Sequence, residues 1–345
     1  MLWLDHTRFA LPERTPSADP ALRYVAAAAY ELTPVDLSAD PFTEAILSWN
    51  ADTPPGTALR ADLRLRYGAA GAAPAAAVWS EWQPMGDWGL GAPASQWLPR
   101  SSSGGAVGLQ HEIDVLHLAP GLAADAFAVR LRLQGGAATP TVRRLAVSTI
   151  HRGRPLPSAA ADPPLGQAVQ LAVPVRSQHA APPDLAPNVC SPTALGMVLE
   201  FYGRDQPTVQ LAAAVFDHGA AIYGNWAFNV AYAGGQGLRA VVRHFTHLGD
   251  VERELQAGHP LVISIAFAAG DLPESPTAGT AGHLLVVTGV TAAGDFCVND
   301  PDANPALGQP VARIYSREGL RRVFLRHGGV AYVIEPESAA AGAGA

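Results

Sequence analysis

From about residue 40 to residue 150, hydrophobic and polar positions alternate with a period of two. In "LRADLRLRY", Leu59, Ala61, Leu63, Leu65 and Tyr67 share one face, and Arg60, Asp62, Arg64 and Arg66 share the other. "FAVRLRLQ" repeats the pattern, with Phe127, Val129, Leu131 and Leu133 set against Arg130, Arg132 and Gln134. Such alternation predicts half-buried antiparallel strands. Turns rich in Gly and Pro, "DTPPGT" and "LQGGAATP", separate them. Many short strands with such turns predict a β-sandwich.

After residue 168 the pattern changes. A short strand is expected at "VQLAVPV", then a helix from Pro192 to Tyr202 with Leu195, Val198, Leu199 and Tyr202 at helical spacing, stopped by Gly203. Further helices are expected at Val209–Val215, within "NWAFNVAYAGG", and at "VERELQAGH". "PLVISIAF", "HLLVVTGV", "DFCVNDP" and "VAYVIEP" read as strands, the first two apolar on both faces and therefore central. The chain thus divides into an irregular lead-in and β-sandwich over 1–150, a Pro/Ala/Gly linker over 151–168, an α+β domain over 169–336 and a disordered tail over 337–345.

Composition narrows the function. Only 15% of residues are charged and the net charge is −7, so no electrostatic footprint for nucleic acid or an anionic membrane is present. All 23 basic residues are arginine, which excludes a lysine Schiff base and a phosphate-loop lysine. The two cysteines, Cys190 and Cys297, form neither a disulfide framework nor a zinc motif. The longest apolar stretch, near Leu261–Ala269, is far too short to span a bilayer. Residues 1–16 lack the basic start of a signal peptide, so a cytoplasmic protein is expected, with secretion as the alternative.

Chemistry concentrates around Cys190. It stands at the expected start of a helix, where unpaired N–H groups and the helix dipole favour a thiolate. His283 in "GTAGHLLVVTGV" enters an apolar strand behind two glycines and is the candidate base. If "DFCVNDP" is that strand's hairpin neighbour, Asp300 lies at the same sheet end and can orient the imidazole. Asn299 has the opposite side-chain direction and is the weaker choice. Gln178, 12 residues before Cys190, can donate to an oxyanion beside the Cys190 backbone N–H. His179 is a rival base that would crowd that position. His259 reads as an exposed loop histidine, Cys297 as an inert core residue, and Asp300 has a plain turn-forming reading before Pro301.

Taken together, Gln178, "NVCSPTALGMVLEFYG", "GHLLVVTGV" and "VNDP" resemble a papain-like cysteine peptidase. Within that fold they are similar to the bacteriocin-processing, double-glycine leader peptidases and their stand-alone relatives, over roughly Val169 to Pro336. The resemblance implies Cys190 as nucleophile, His283 as general base and acid, Asp300 as orienting residue and Gln178 in the oxyanion hole. It implies a peptide or protein substrate and no metal or organic cofactor. The glycine usual directly after the nucleophile is Ser191 here. Trp226 and Asn229 either line the cleft or pack their helix. In the N-terminal half, Trp79, Trp82, Trp88 and Trp97 either fill a core or form a platform for a carbohydrate or peptide, which would suit a binding protein with a degenerate site.

Overall fold

The computed structural model describes residues 28–71, 76–89, 93, 108–135, 138 and 140–337. Trp97, most of the expected lead-in and nearly all of the expected tail lie outside these residues. The chain forms two compact units, one of residues 1–155 together with Phe216–Phe228, the other of Leu156–Val215 with the remainder from Asn229.

Among the described residues the first unit holds ten strands: β1 (Ala28–Glu31), β2 (Val35–Asp36), β3 (Glu44–Asp52), β4 (Ala58–Ala69), β5 (Val78–Trp79), β6 (Gln83–Trp88), β7 (Leu109–Glu112), β8 (Val115–Leu118), β9 (Leu122–Gln134) and β10 (Thr141–Ile150). One antiparallel sheet runs β1-β9-β4-β5, with β2 also on β9 and β6 also on β4; the other runs β10-β3-β8-β7. Strands β1 and β2 fall within the stretch expected to be irregular. In β4, the row Leu59, Ala61, Leu63, Leu65 and Tyr67 is buried, as its spacing predicts. Each such leucine contributes roughly 1.5–3 kcal/mol by burial.

The opposite face departs from the simple pattern. Asp62 is completely buried, with Oδ2 accepting from Arg130 Nε at 2.8 Å and from Arg132 Nη2 at 2.7 Å. Register explains it, because Asp62 pairs with Arg130 and Arg60 with Arg132 across β4 and β9. The arginines also cover the tryptophans. Arg64 Cζ lies 4.9 Å from the Trp79 ring and 4.3 Å from the Trp82 ring, and Arg130 Cζ lies 4.5 Å from Trp82. Trp88 is buried 5.6 Å from the Phe228 ring, which also stands edge-on to Trp49 at 6.1 Å. A Cβ at position 86 would lie 2.7 Å from that phenyl ring, so glycine is required there.

Residues 216–228 are braced by Asp217, whose carboxylate accepts from Gly219 N, Ala220 N and Asn225 Nδ2. Asp114, in the turn between β7 and β8, accepts from Trp226 N at 2.5 Å. Burial, aided by the charge of Asp217 and opposed by the Trp226 N–H, pushes the Asp114 carboxyl up to about 7. A folded-state value above the unfolded one means that the stabilising protonated form is fully present below about pH 4. That contribution, roughly 4 kcal/mol, is lost as pH rises through 7. Asp114→Asn, which keeps the acceptor oxygen without the charge, is therefore expected to raise the melting temperature most at pH 8 and only about a third as much at pH 5. Tryptophan fluorescence reads this unit, since Trp49, Trp79, Trp82, Trp88 and Trp226 all belong to it. An equal shift at both pH values would refute the linkage.

The second unit contains β11 (Val169–Gln170), α1 (Cys190–Phe201), α2 (Thr208–Val215), most of α3 (Trp226–Gly235), β12 (Leu238–His244), α4 (Leu248–Gln256), β13 (Leu261–Phe267), β14 (Thr280–Val290), β15 (Phe296–Asn299), β16 (Ala312–Tyr315), α5 (Arg317–Leu320) with a π-helical turn to Leu325, and β17 (Val330–Pro336). Its sheet is antiparallel, in the order β12-β17-β13-β14-β15-β16, with β11 on β14. Strand β11 is shorter than "VQLAVPV" predicts: the backbone turns at Val173, whose N–H bonds Leu171 O, and Pro174 has no N–H to give. Gly289 admits it to β14, because a Cβ there would meet Val169 O at 2.2 Å. Helix α1 is buried from Ser191 to Leu199, all round rather than on one face. The fold is therefore a mixed α/β chain with antiparallel sheets, the N-terminal domain separate from the second.

The stretch expected as a linker is partly built into this unit. Asp162 is 4% exposed. Its carboxylate accepts from Leu248 N at 2.7 Å and Gly249 N at 3.0 Å, capping α4 where the side chain of the N-cap residue His247 makes no bond to the helix. Arg321 Nη2 donates to the same carboxylate at 3.1 Å.

Candidate active site

Helix α1 begins at Cys190 itself, two residues earlier than its apolar spacing predicts. The thiol is half-buried, at the end of the helix where free N–H groups gather. Ser191, next to it, is fully buried with its hydroxyl 2.9 Å from the Tyr332 hydroxyl on β17, which pins the helix start to the sheet.

Strand β14 begins at Thr280, ahead of His283, and passes from exposed to buried at the histidine. His283 is 5% exposed. Its Nε2 lies 2.7 Å from Asp300 Oδ1, so Nδ1 is the nitrogen that remains for the thiol. Strands β14 and β15 are paired neighbours, and Asp300 follows directly on β15. Asn299 faces elsewhere: its Nδ2 donates to Val173 O at 3.1 Å and Pro174 O at 3.2 Å.

These groups shift one another. Burial pushes the Cys190 thiol up, but the hydrogen bond and positive charge of His283, with the backbone N–H groups of Leu284 and Ser191, outweigh it and leave the thiol below its ordinary value. Burial alone would lower His283; the Asp300 charge and hydrogen bond, with the Cys190 bond, hold it well above 6.5. Burial would raise Asp300, yet His283, the Tyr315 hydroxyl and the Asp302 N–H keep it lowered. The arrangement favours a thiolate beside an imidazolium. Cys297, in the middle of β15, shows the opposite behaviour, its thiol pushed up by burial.

Gln178 is buried in a short 3-10 turn, and its Nε2 donates to Asp302 Oδ1 at 3.0 Å. His179 lies 2.9 Å from Asp302 O through its Nε2. His259 is not an exposed loop residue but lies between Glu254, at 3.0 Å, and Glu335, at 3.6 Å. Asn229 is fully buried, and Trp226 belongs with the first unit. Two residues near Asp300 escape sequence reasoning. Tyr315 on β16 is fully buried and donates its hydroxyl to Asp300 Oδ2. Burial and the Asp300 charge raise its phenol, so it remains a donor. Asp302 donates its N–H to Asp300 Oδ1 at 2.9 Å. The only local signal for Asp302 is the doubled acid in "NDPDAN"; Tyr315 has none.

Residues 170–332 match the model of the Peptidase_C39 like family, and residues 7–149 match that of the Peptidase C39 N-terminal domain. The second domain belongs to the C39-like peptidase family. No curated protein matches the chain. Among solved structures, a Bacillus anthracis protein assigned to the C39-like peptidases is 18% identical, covering 50% of this chain and 100% of its own, with a TM-score of 0.38. A double glycine motif protease from an AMS/PCAT transporter, in complex with the leader peptide, is 21% identical over 49% of this chain and 98% of its own, with a TM-score of 0.33. The peptidase domain of Streptococcus ComA, a bi-functional ABC transporter of a quorum sensing pathway, is 16% identical over 44% and 93%, also at 0.33. Among the described residues no helix is long and apolar enough to cross a membrane.

Proposed function

We propose that the C39-like domain is a papain-like cysteine peptidase that cleaves a peptide or related amide bond by thiol acyl transfer, and that the two sheets of the first unit form a sandwich. The observation that carries the reading is the buried His283–Asp300 pair at 2.7 Å, together with a Cys190 thiol at the start of α1 that His283 holds below its ordinary value. In the proposed reaction, Cys190 Sγ bonds to the substrate carbonyl carbon, and the carbonyl π electrons move onto oxygen. Gln178 and the backbone N–H of Cys190 hold that oxyanion. Collapse of the intermediate breaks the C–N bond, and His283 gives its proton to the leaving amine. A thioester on Cys190 remains. His283 then takes a proton from water, whose oxygen attacks the thioester, releasing a carboxylic acid and the thiol. Asp300 keeps the imidazole in the orientation and tautomer these steps need.

The rival reading, a binding protein with a degenerate site whose tryptophans stack on a carbohydrate or peptide, is disfavoured by their surroundings. Guanidinium groups already lie against Trp79 and Trp82, and Trp88 is buried against Phe228. The test of the peptidase reading is incubation with a mixed peptide library in H2(18)O, followed by mass spectrometry. Wild type is expected to generate new C-termini carrying one heavy oxygen, and Cys190→Ala none. New termini joined to amines in place of heavy oxygen would indicate transfer; no cleavage by wild type would end the reading.

A further inference from the structure

The loop after Asp300 holds the Gln178 turn at several points. Gln178 N donates to Pro301 O at 2.8 Å, and the Ser177 hydroxyl donates to Ala303 O at 2.7 Å. Between these anchors Gln178 Nε2 donates to Asp302 Oδ1. His179 Nε2 lies 2.9 Å from Asp302 O and 3.3 Å from its Oδ1. One residue, Asp302, therefore touches both halves of the site, its main chain on Asp300 and its side chain on Gln178.

A glutamine amide has two settings related by a half-turn about its last torsion, and its oxygen and nitrogen are nearly the same size. Packing barely distinguishes them, so hydrogen bonding must. Gln178 Oε1 is buried with no hydrogen-bond partner among the described residues. The carboxylate of Asp302 does distinguish the settings. With Nε2 toward it, a charge-assisted bond forms; with Oε1 toward it, two acceptor oxygens would face each other at about the same 3.0 Å separation. The nitrogen carries two hydrogens, and the Asp302 bond uses one. The second is left to donate to an oxyanion, whereas the reversed setting would offer an acceptor there.

We propose that Asp302 is a positioning residue that fixes the Gln178 amide with its nitrogen toward the oxyanion, coupling the oxyanion donor to the loop that carries Asp300. The inference rests on the reading of Cys190 as a nucleophile. It concerns the amide of Gln178 and leaves the thiolate–imidazolium pair unaffected.

Two probes of the same thiol test it, in the full chain with Cys297→Ala as background. Iodoacetamide is attacked at its CH2 carbon: the S–C bond forms, iodide leaves, and no oxyanion arises. With p-nitrophenyl acetate, the S–C bond forms at a carbonyl carbon, the oxygen carries transient negative charge, and p-nitrophenolate leaves. Asp302→Ala is expected to slow acylation about 10- to 100-fold, with the rate and pH profile of alkylation within about twofold of wild type. In Gln178→Ala, adding Asp302→Ala should cause no further loss, because both changes remove one device. Asp302→Asn should lose less than Asp302→Ala, since its carbonyl still accepts the N–H without forbidding the reversed amide. Acylation by Asp302→Ala within twofold of wild type would overturn the proposal. So would equal slowing of both probes, or a full additive loss in the double variant. A wild type that alkylates like an ordinary thiol removes the underlying reading, and the inference with it.

Discussion

His283→Ala is expected to slow alkylation of Cys190 by iodoacetamide about 100-fold at pH 6, in a Cys297→Ala background. A free thiol titrates near pH 8.5, so only a few tenths of a percent is thiolate at pH 6. In the intact site the thiol lies below its ordinary value because the imidazolium charge and hydrogen bond outweigh burial. Removing the ring leaves burial, which acts in the opposite direction. The labelling profile should therefore move to or beyond that of a free thiol, and the two proteins should converge above about pH 9. Peptide cleavage should fall by at least about 1000-fold, since the variant also lacks the acid for the leaving amine. The same shifts set the pH profile of wild type. Activity should decline on the acid side as the thiolate takes a proton, at a pH below the free-thiol range. On the alkaline side it should decline above 6.5, as His283, whose pKa is raised, loses the proton it must donate. A His283→Ala protein that labels at the wild-type rate at pH 6 would show that the pair does not exist.

Asp162→Ala is expected to destabilise the second unit by about 3 kcal/mol, because it takes the buried carboxylate from Arg321 and leaves it only carbonyl oxygens and the exposed Glu318 at 3.7 Å. Arg321, 6% exposed, would keep its guanidinium beside an empty site, and α4 would lose the acceptor for its first two N–H groups. The Asp162 carboxyl is lowered: burial would raise it, but the Leu248 and Gly249 N–H groups and the two arginines outweigh that. Its contribution is thus present above the unfolded value of about 3.9 and lost as pH falls through the lower folded value. Urea denaturation, with hydrogen exchange of the α4 amides as the local probe, should show a lower midpoint and faster exchange in Leu248 and Gly249. Asp162→Asn, which retains an acceptor, should lose less. Unchanged exchange in both amides would rule out the cap.

Much of the candidate site was legible along the chain because its parts are local. A cysteine ahead of an apolar helical run, a histidine entering an apolar strand and an acid ending the next strand each carry a recognisable signal. The period of two located β4 and β9, since a strand with one wet face must alternate. It said nothing of β3, buried from Glu44 to Ala51 on both faces, or of Phe216–Phe228 lying with the first unit.

By itself the sequence determined that Cys190 stands at the mouth of a helix, that His283 enters an apolar strand and Asp300 follows the next one, and which class of chemistry the composition allows. Tertiary structure decided which oxygen of Asp300 meets which donor, that Tyr315 and Asp302 stand beside it, that Asp62 lies beneath two arginines and that Asp162 caps a helix 86 residues away. Helix and strand patterns arise from backbone bonds and burial repeated every few residues, so they leave a period to read. A buried carboxylate is satisfied by whatever donor the fold brings within 3 Å, and that donor leaves no periodic trace in the chain.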